Sequence, residues 1–369
     1  NSENTMKVIR LILSACLIGM TAFQAALAET GVTDTSISFG MSLPLTGPAS
    51  AHGQELRNVI NAYFEQVNKN GGVYGRKLQL AVVDDGYDPD KAVANTKTLI
   101  ETNKVFALLG YYGSTAMTEA MNKVFGPAKV PMIGGISGAM SLRQPPAGNP
   151  NNRYMFSQRA SYADEAEAIG NQLATLGLKN IAVFYQNDGF GKSGKDGVVA
   201  ALAHHKLKPV AEGSVERNSL QVENAVTQIA KANPQAVIMV TLYKPTAEFI
   251  RQMRKAGQIP QFSTLSPIGA DLLVGEMGAK DAHGVGISQV MPYPWNDTQP
   301  VAKEYHKAIQ AFAKHSNYSY YGIEGFINAK LIAEAMKKAG RDLSREKLVN
   351  TLESTPFDLG GYKVSYSAS

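Results

Sequence analysis

A chain of 369 residues is long enough for two or three domains. Hydrophobic residues make up 44% of it and charged residues 18%, an ordinary balance for a soluble globular protein. The formal charge of +5 is scattered without a Lys/Arg block, so composition gives no support to nucleic-acid binding.

Residues 1–28 stand apart from the rest. Lys7 and Arg10 precede an apolar run over 11–25, and Ala26-Leu27-Ala28 supplies a small-x-small cleavage pattern. With Met6 as the start, 1–28 is expected to be a cleaved signal peptide. Leu13-Ser14-Ala15-Cys16 also resembles a lipobox, but the apolar run continues past Cys16, and it is short for a permanent anchor. Cys16 is the single cysteine. The mature chain is therefore expected to lack disulfides, thiol chemistry and cysteine metal sites, and to depend on a large core.

Beyond the leader, strand and helix patterns alternate. Residues 36–43 read as a strand, followed by a loop over 44–48. Leu56, Ile60, Tyr63, Phe64 and Val67 recur at helical spacing and predict a helix over 50–68, stopped by Asn70-Gly71-Gly72. A strand over 77–83 leads to Asp88-Pro89, a helix start with proline in the first turn. Strands at 106–109 and 131–133 flank a helix over 114–125. After a Pro/Asn-rich stretch at 145–152 the alternation restarts with helix 163–176, strand 181–185, helix 191–204 and strand 207–211. Helix 220–232, strand 236–240, helix 246–256 and strand 261–265 follow. Helices near 301–313, 321–339 and 344–352 precede a last strand near 362–366. Two such runs predict an α/β protein of two doubly wound parallel-sheet lobes, which the C-terminal pieces complete.

Gly189-Phe190-Gly191-Lys192-Ser193-Gly194 follows a strand and opens a helix, so it formally matches a dinucleotide fingerprint. In an exported chain, a glycine-eased turn capped by Asn187 or Asp188 is the better reading. Gly135-Ile136-Ser137-Gly138-Ala139 ends in alanine where a hydrolase elbow needs glycine. The six histidines show no paired-ligand spacing, and Asp84-Asp85 reads as a polar turn.

Two short segments carry more information. The stretches 110–115 and 134–139 both follow predicted strands of the first lobe. Glycine lets backbone approach a ligand, and hydroxyls beside unpaired N–H groups suit a carboxylate without a formal positive charge. Ligands bind open α/β sheets at this edge. The alternative is that Ser114 and Ser137 only cap helices, and spacing alone leaves both readings open.

Several stretches in order resemble the branched-chain amino-acid (Leu/Ile/Val) binding type of periplasmic binding protein, which serves ABC importers. They are Pro44-Leu45-Thr46-Gly47-Pro48, Asn70-Gly71-Gly72-Val73-Tyr74-Gly75-Arg76, Asp84-Asp85 through Asp88-Pro89-Asp90-Lys91-Ala92, residues 110–114, Ser161-Tyr162-Ala163-Asp164-Glu165, residues 184–191 and residues 251–257. The resemblance implies the type I fold, with lobe 1 formed by 29–153 plus 291–355 and lobe 2 by 154–290 plus 356–369. The crossings fall near Tyr154, Val290 and Pro356.

It also implies that a ligand carboxylate meets Gly113, Ser114, Thr115, Ser137 and Gly138. His52 and Tyr112 would lie over the pocket, with Tyr162 and Tyr243 closing from lobe 2. Amino-acid-binding relatives place an acid near Ser266 for the ligand's ammonium. Here Thr264-Leu265-Ser266-Pro267 has none, so either Glu324 takes that role or the ligand lacks an α-amino group. The implied protein is a monomeric, periplasmic, non-catalytic clamp without cofactor. Its partners are a small carboxylate-bearing ligand (amino acid, 2-oxo acid or aromatic acid) and a membrane permease. A ligand-sensing receptor on the same fold is the rival reading.

Overall fold

The computed structural model describes residues 29–367, so the signal-peptide reading falls outside the described residues. Strand β1 (Ser36–Leu43) is an interior strand of its sheet, with Phe39, Met41 and Leu43 fully enclosed. Helix α1 (Ser50–Lys69) packs its Leu56, Ile60, Tyr63 and Phe64 face inward. After β2 (Lys77–Asp84), helix α2 (Pro89–Glu101) starts where the Asp88 side chain accepts from the Asp90 and Lys91 N–H groups. β3 (Ala107–Leu109) leads to α3 (Ser114–Ala120), which runs on through a wide π-turn over Met121–Phe125. β4 (Met132–Ile133) and β5 (Met155–Phe156) complete the first sheet, which is all parallel in the order β2-β1-β3-β4-β5. The chain thus stays in this sheet two residues past Tyr154.

The second sheet is also parallel, in the order β10-β9-β8-β6-β7. It contains β6 (Ile181–Gln186), β7 (Glu212–Val215), β8 (Ala236–Val240), β9 (Gln261–Thr264) and β10 (Gly286–Ile287). Its helices are α4 (Tyr162–Thr175), α5 (Gly189–His204), α6 (Glu223–Lys231), α7 (Tyr243–Lys255), α8 (Ala270–Met277) and α9 (Ala279–Ala282). The expected strand at 207–211 lies instead at Glu212–Val215. Pro209 has no N–H to give to a ladder, so pairing begins beyond it.

Helices α10 (Pro300–Phe312) and α11 (Tyr320–Ala339) pack on α1, and α12 (Arg345–Ser354) packs on α11. An antiparallel pair, β11 (Phe357–Asp358) and β12 (Lys363–Val364), closes the described chain. Asp84 and Asp85 hold turns. Asp84 accepts from the Leu45, Thr46 and Gly86 N–H groups, and Asp85 from the Ser42 hydroxyl and the Tyr87 N–H.

Candidate functional site

The carboxyl ends of strands from both sheets face one another, which is where open parallel sheets bind ligands. From the first sheet, β3 delivers Tyr112, Gly113 and Ser114, β4 delivers Ser137 and Gly138, and β5 delivers the segment 157–161. The second sheet supplies Ser266 after β9, Ser288 after β10 and Tyr243 after β8.

Three buried hydroxyls meet at the centre. Ser114 Oγ lies 2.7 Å from Ser137 Oγ and 3.2 Å from the Tyr162 hydroxyl. Ser114 begins α3 behind Gly113, whose φ of +105° suits glycine. Ser137 is on no helix, and its Oγ accepts from the Ala139 N–H at 3.1 Å. A Cβ on Gly138 would fall 2.7 Å from the Tyr162 nitrogen, so glycine here is what lets α4 approach. Burial raises the Tyr162 pKa, keeping the phenol protonated, while the Arg159 charge opposes that shift.

His52, Tyr112, Tyr243 and Tyr321 form an aromatic wall. The His52 ring stacks on Tyr112 at 5.0 Å and meets Tyr321 at 4.6 Å and Tyr243 at 5.3 Å. Burial lowers the His52 pKa to about 4, so the imidazole is neutral. His52 Nδ1 and the Tyr112 hydroxyl are buried without hydrogen-bond partners.

A charged group completes the site. Arg159, Glu165, Ser266 and Glu324 are all buried. Arg159 Nε lies 3.2 Å from a Glu324 oxygen, and Arg159 Nη2 donates to Ser266 Oγ at 2.7 Å. The Ser266 N–H and hydroxyl donate to Glu165 at 2.8 and 3.0 Å. Burial opposes the arginine's charge, but the Glu324 and Glu165 carboxylates outweigh it and push the pKa up. Burial raises the Glu324 pKa, with Arg159 opposing. Arg159 Nη1 is buried with no partner.

The structure therefore gathers Ser114, Ser137 and Tyr162 into one cluster, His52, Tyr112 and Tyr243 into a second, and Ser266 with Glu324 around a third. Thr115 is placed differently. Its Oγ1 accepts from the Gly189 N–H at 3.0 Å, a contact between the lobes rather than with the hydroxyl cluster. Sequence reasoning missed Arg159, Glu165 and Tyr321. The one local signal for Arg159 is its place between the end of β5 and Ser161, whose hydroxyl opens the α4 capping box.

Further contacts hold the lobes together. The Tyr243 hydroxyl donates to the Pro48 carbonyl at 3.0 Å, and Tyr321 donates to the Pro267 carbonyl at 2.7 Å. Gln186 donates to the Tyr87 hydroxyl at 3.2 Å. The described conformation is thus a closed clamp. The glycines at 189 and 191 fit a strand-to-helix turn. The Asp188 side chain caps α5 by accepting from the Phe190 and Gly191 N–H groups. Among the described residues no helix is long and apolar enough to cross a membrane, and no group of three or more His, Cys, Asp or Glu is placed to hold a metal.

A family model described as "Periplasmic binding protein" matches residues 36–369. An "Amino acid binding protein" of Pseudomonas aeruginosa is 24% identical over 243 residues, which is 66% of this chain and 63% of that relative. "Leu/Ile/Val-binding protein homolog 7" of Brucella abortus is 23% identical over 334 residues, covering 86% of this chain and 82% of the relative. The solved substrate-binding periplasmic protein from Ralstonia solanacearum superposes with a TM-score of 0.84 at 32% identity, over 90% of this chain and 93% of that one.

Proposed function

We propose a transport role from one premise: the chain belongs to the periplasmic binding protein family, with that family's type I fold of two parallel-sheet lobes. It is a binding protein and not an enzyme. In this reading it captures a small carboxylate-bearing solute (an amino acid, a 2-oxo acid or an aromatic acid) between its lobes. It then presents the closed form to the membrane permease of an ABC importer, after export by the cleaved leader. Relative to the sequence reading, the first crossing moves past Phe156 because β5 pairs with β4, and residues 357–366 go to the first lobe rather than the second, because the Gly360 carbonyl accepts from the Val301 N–H and Tyr366 packs on Phe156.

One observation carries the ligand class. The Ser114, Ser137 and Tyr162 hydroxyls lie in the buried cleft with Arg159, whose charge acts on Tyr162 and whose Nη1 has no partner. A buried cationic donor left unsatisfied is costly, and a carboxylate satisfies it with a charge-assisted hydrogen bond. Groups from both lobes complete the site, so a solute adds contacts to the closed form alone and shifts the open–closed balance toward it.

Thermal-shift screening of the chain without residues 1–28 tests this, with carboxylic acids set against their neutral amides. A ligand that binds only the folded state raises the melting temperature. The expected result is stabilisation by acids and not by amides, weakened ~10-fold in affinity by Ser137→Ala. Stabilisation by amides alone, or consumption of the ligand, would overturn the reading.

A further inference from the structure

Four carboxylates are buried among the described residues: Asp85, Glu165, Asp188 and Glu324. All of them are already engaged. Asp85 accepts from Ser42 and the Tyr87 N–H, and Asp188 from Arg217 and Gln186. Glu165 accepts from the Ser266 N–H, the Ser266 hydroxyl and the Ser288 hydroxyl. Glu324 is paired with Arg159.

Arg159 is the one buried Lys or Arg among the described residues. Its guanidinium joins Glu324 on α11 to the Ser266–Glu165 pair of the second lobe. Arg143 lies alongside. Its Nη2 donates to the Arg159 carbonyl, and its charge reaches Glu324. Two arginines and two glutamates thus form a charge-balanced group.

An ammonium entering this cleft needs a carboxylate in direct contact, because an unpaired buried charge is expensive. Glu324 already shares its charge with Arg159 and Glu165 already accepts three hydrogen bonds, so an ammonium here would compete with Arg159 for both carboxylates and be repelled by it. A lone carboxylate meets the opposite situation, with hydroxyls and an unpartnered Nη1 available.

We propose that Arg159 is the specificity-determining residue of the cleft: its guanidinium engages the buried carboxylates that could otherwise pair an ammonium, so the site selects carboxylic acids without an α-amino group, such as 2-oxo acids, over the matching α-amino acids. This rests on the solute-binding reading above and narrows it.

Calorimetric titration with matched pairs separates the two claims. The probes are 4-methyl-2-oxopentanoate against leucine and phenylpyruvate against phenylalanine. They are titrated into the wild type, Arg159→Met, and the double variant Arg159→Met/Glu324→Gln. In at least one pair the wild type should favour the oxo acid by ~100-fold or more. Arg159→Met frees Glu324 and should narrow or reverse that preference, with the amino acid gaining ~10-fold while the oxo acid loses affinity. The single variant strands a buried Glu324. The double variant carries neither charge and checks the same ratio if the single one does not fold; its preference should fall below ~10-fold.

Equal or tighter binding of the amino acid by the wild type overturns the inference. So does a parallel loss of both ligands in the variants with the ratio unchanged. If no carboxylate binds the wild type at all, the solute-binding reading itself fails and this inference falls with it.

Discussion

Acidification should loosen the closed clamp through His52. Its imidazole is enclosed by Tyr112 and Tyr321 on one side of the cleft and Tyr243 on the other, with Nε2 3.3 Å from the Ile268 carbonyl. Burial holds its pKa at about 4 against an ordinary 6.5. When the lobes part, Tyr243 and the Ile268 carbonyl leave the ring while Tyr112 and Tyr321 stay with it, so a full return to the ordinary pKa sets the upper limit of the effect. A histidine with a lowered pKa stabilises the closed form in full above pH 6.5, and that stabilisation drains away as the pH falls toward 4. Between pH 7.5 and pH 5.0 the loss reaches up to about 2 kcal/mol, a shift of up to ~30-fold toward the open form.

Glu55 acts with the opposite sign. Burial, opposed by the Ser319 hydroxyl and reinforced by Asp271, raises its carboxyl to about 7, so acidification neutralises it and favours closure. His52→Phe keeps a ring in the stack and removes the titration, which isolates the histidine's share. The assay is the affinity of the tightest-binding acid at pH 7.5 and 5.0 in both proteins. The ratio of the two affinities should be larger in the wild type, by up to ~30-fold. Equal ratios would refute the link between His52 and closure.

Other perturbations probe separate parts of the structure. Thr115→Val removes the acceptor for the Gly189 N–H across the cleft while keeping the side chain's shape. It should weaken ligand affinity by about 1 kcal/mol, mostly through faster dissociation; unchanged dissociation would mean the contact does not hold the clamp shut. A Cβ at Gly191 would lie 1.8 Å from the Gln186 carbonyl oxygen, so Gly191→Ala should cost about 2–3 kcal/mol in urea unfolding. A variant as stable as the wild type would remove the packing explanation of that glycine run. Ser266→Ala takes a donor from Glu165 and the acceptor from Arg159 Nη2, and should cost about 1–3 kcal/mol. A loss no larger than that of an exposed control such as Ser365→Ala would show that the buried charge group does not depend on it.

Most of the fold was legible because its signals are local. Asp88 and Asp188 announce α2 and α5 through capping chemistry that acts within three residues. β5 and β10 were not legible. Each is a two-residue strand, too short to show a period, and exists because a neighbouring strand offers an edge. The site divides along the same line. Ser114, Ser137 and Tyr162 lie at turns and helix starts that the chain marks locally with glycine and capping residues. Arg159 meets Ser266 across 107 residues and Glu324 on a helix of the other lobe. Nothing within its own segment tells a hinge arginine bound for solvent from one bound for the interior. Burying a charge is decided by which partners the tertiary fold brings to it, and those partners lie on segments that look ordinary one at a time. A reading confined to local pattern therefore leaves out the ions at such a site. Here that omission left the Ser114 and Ser137 cradle without its charged neighbour, because the fold buries Arg159 in the same cleft, and the sign of that charge bears directly on the selectivity proposed above.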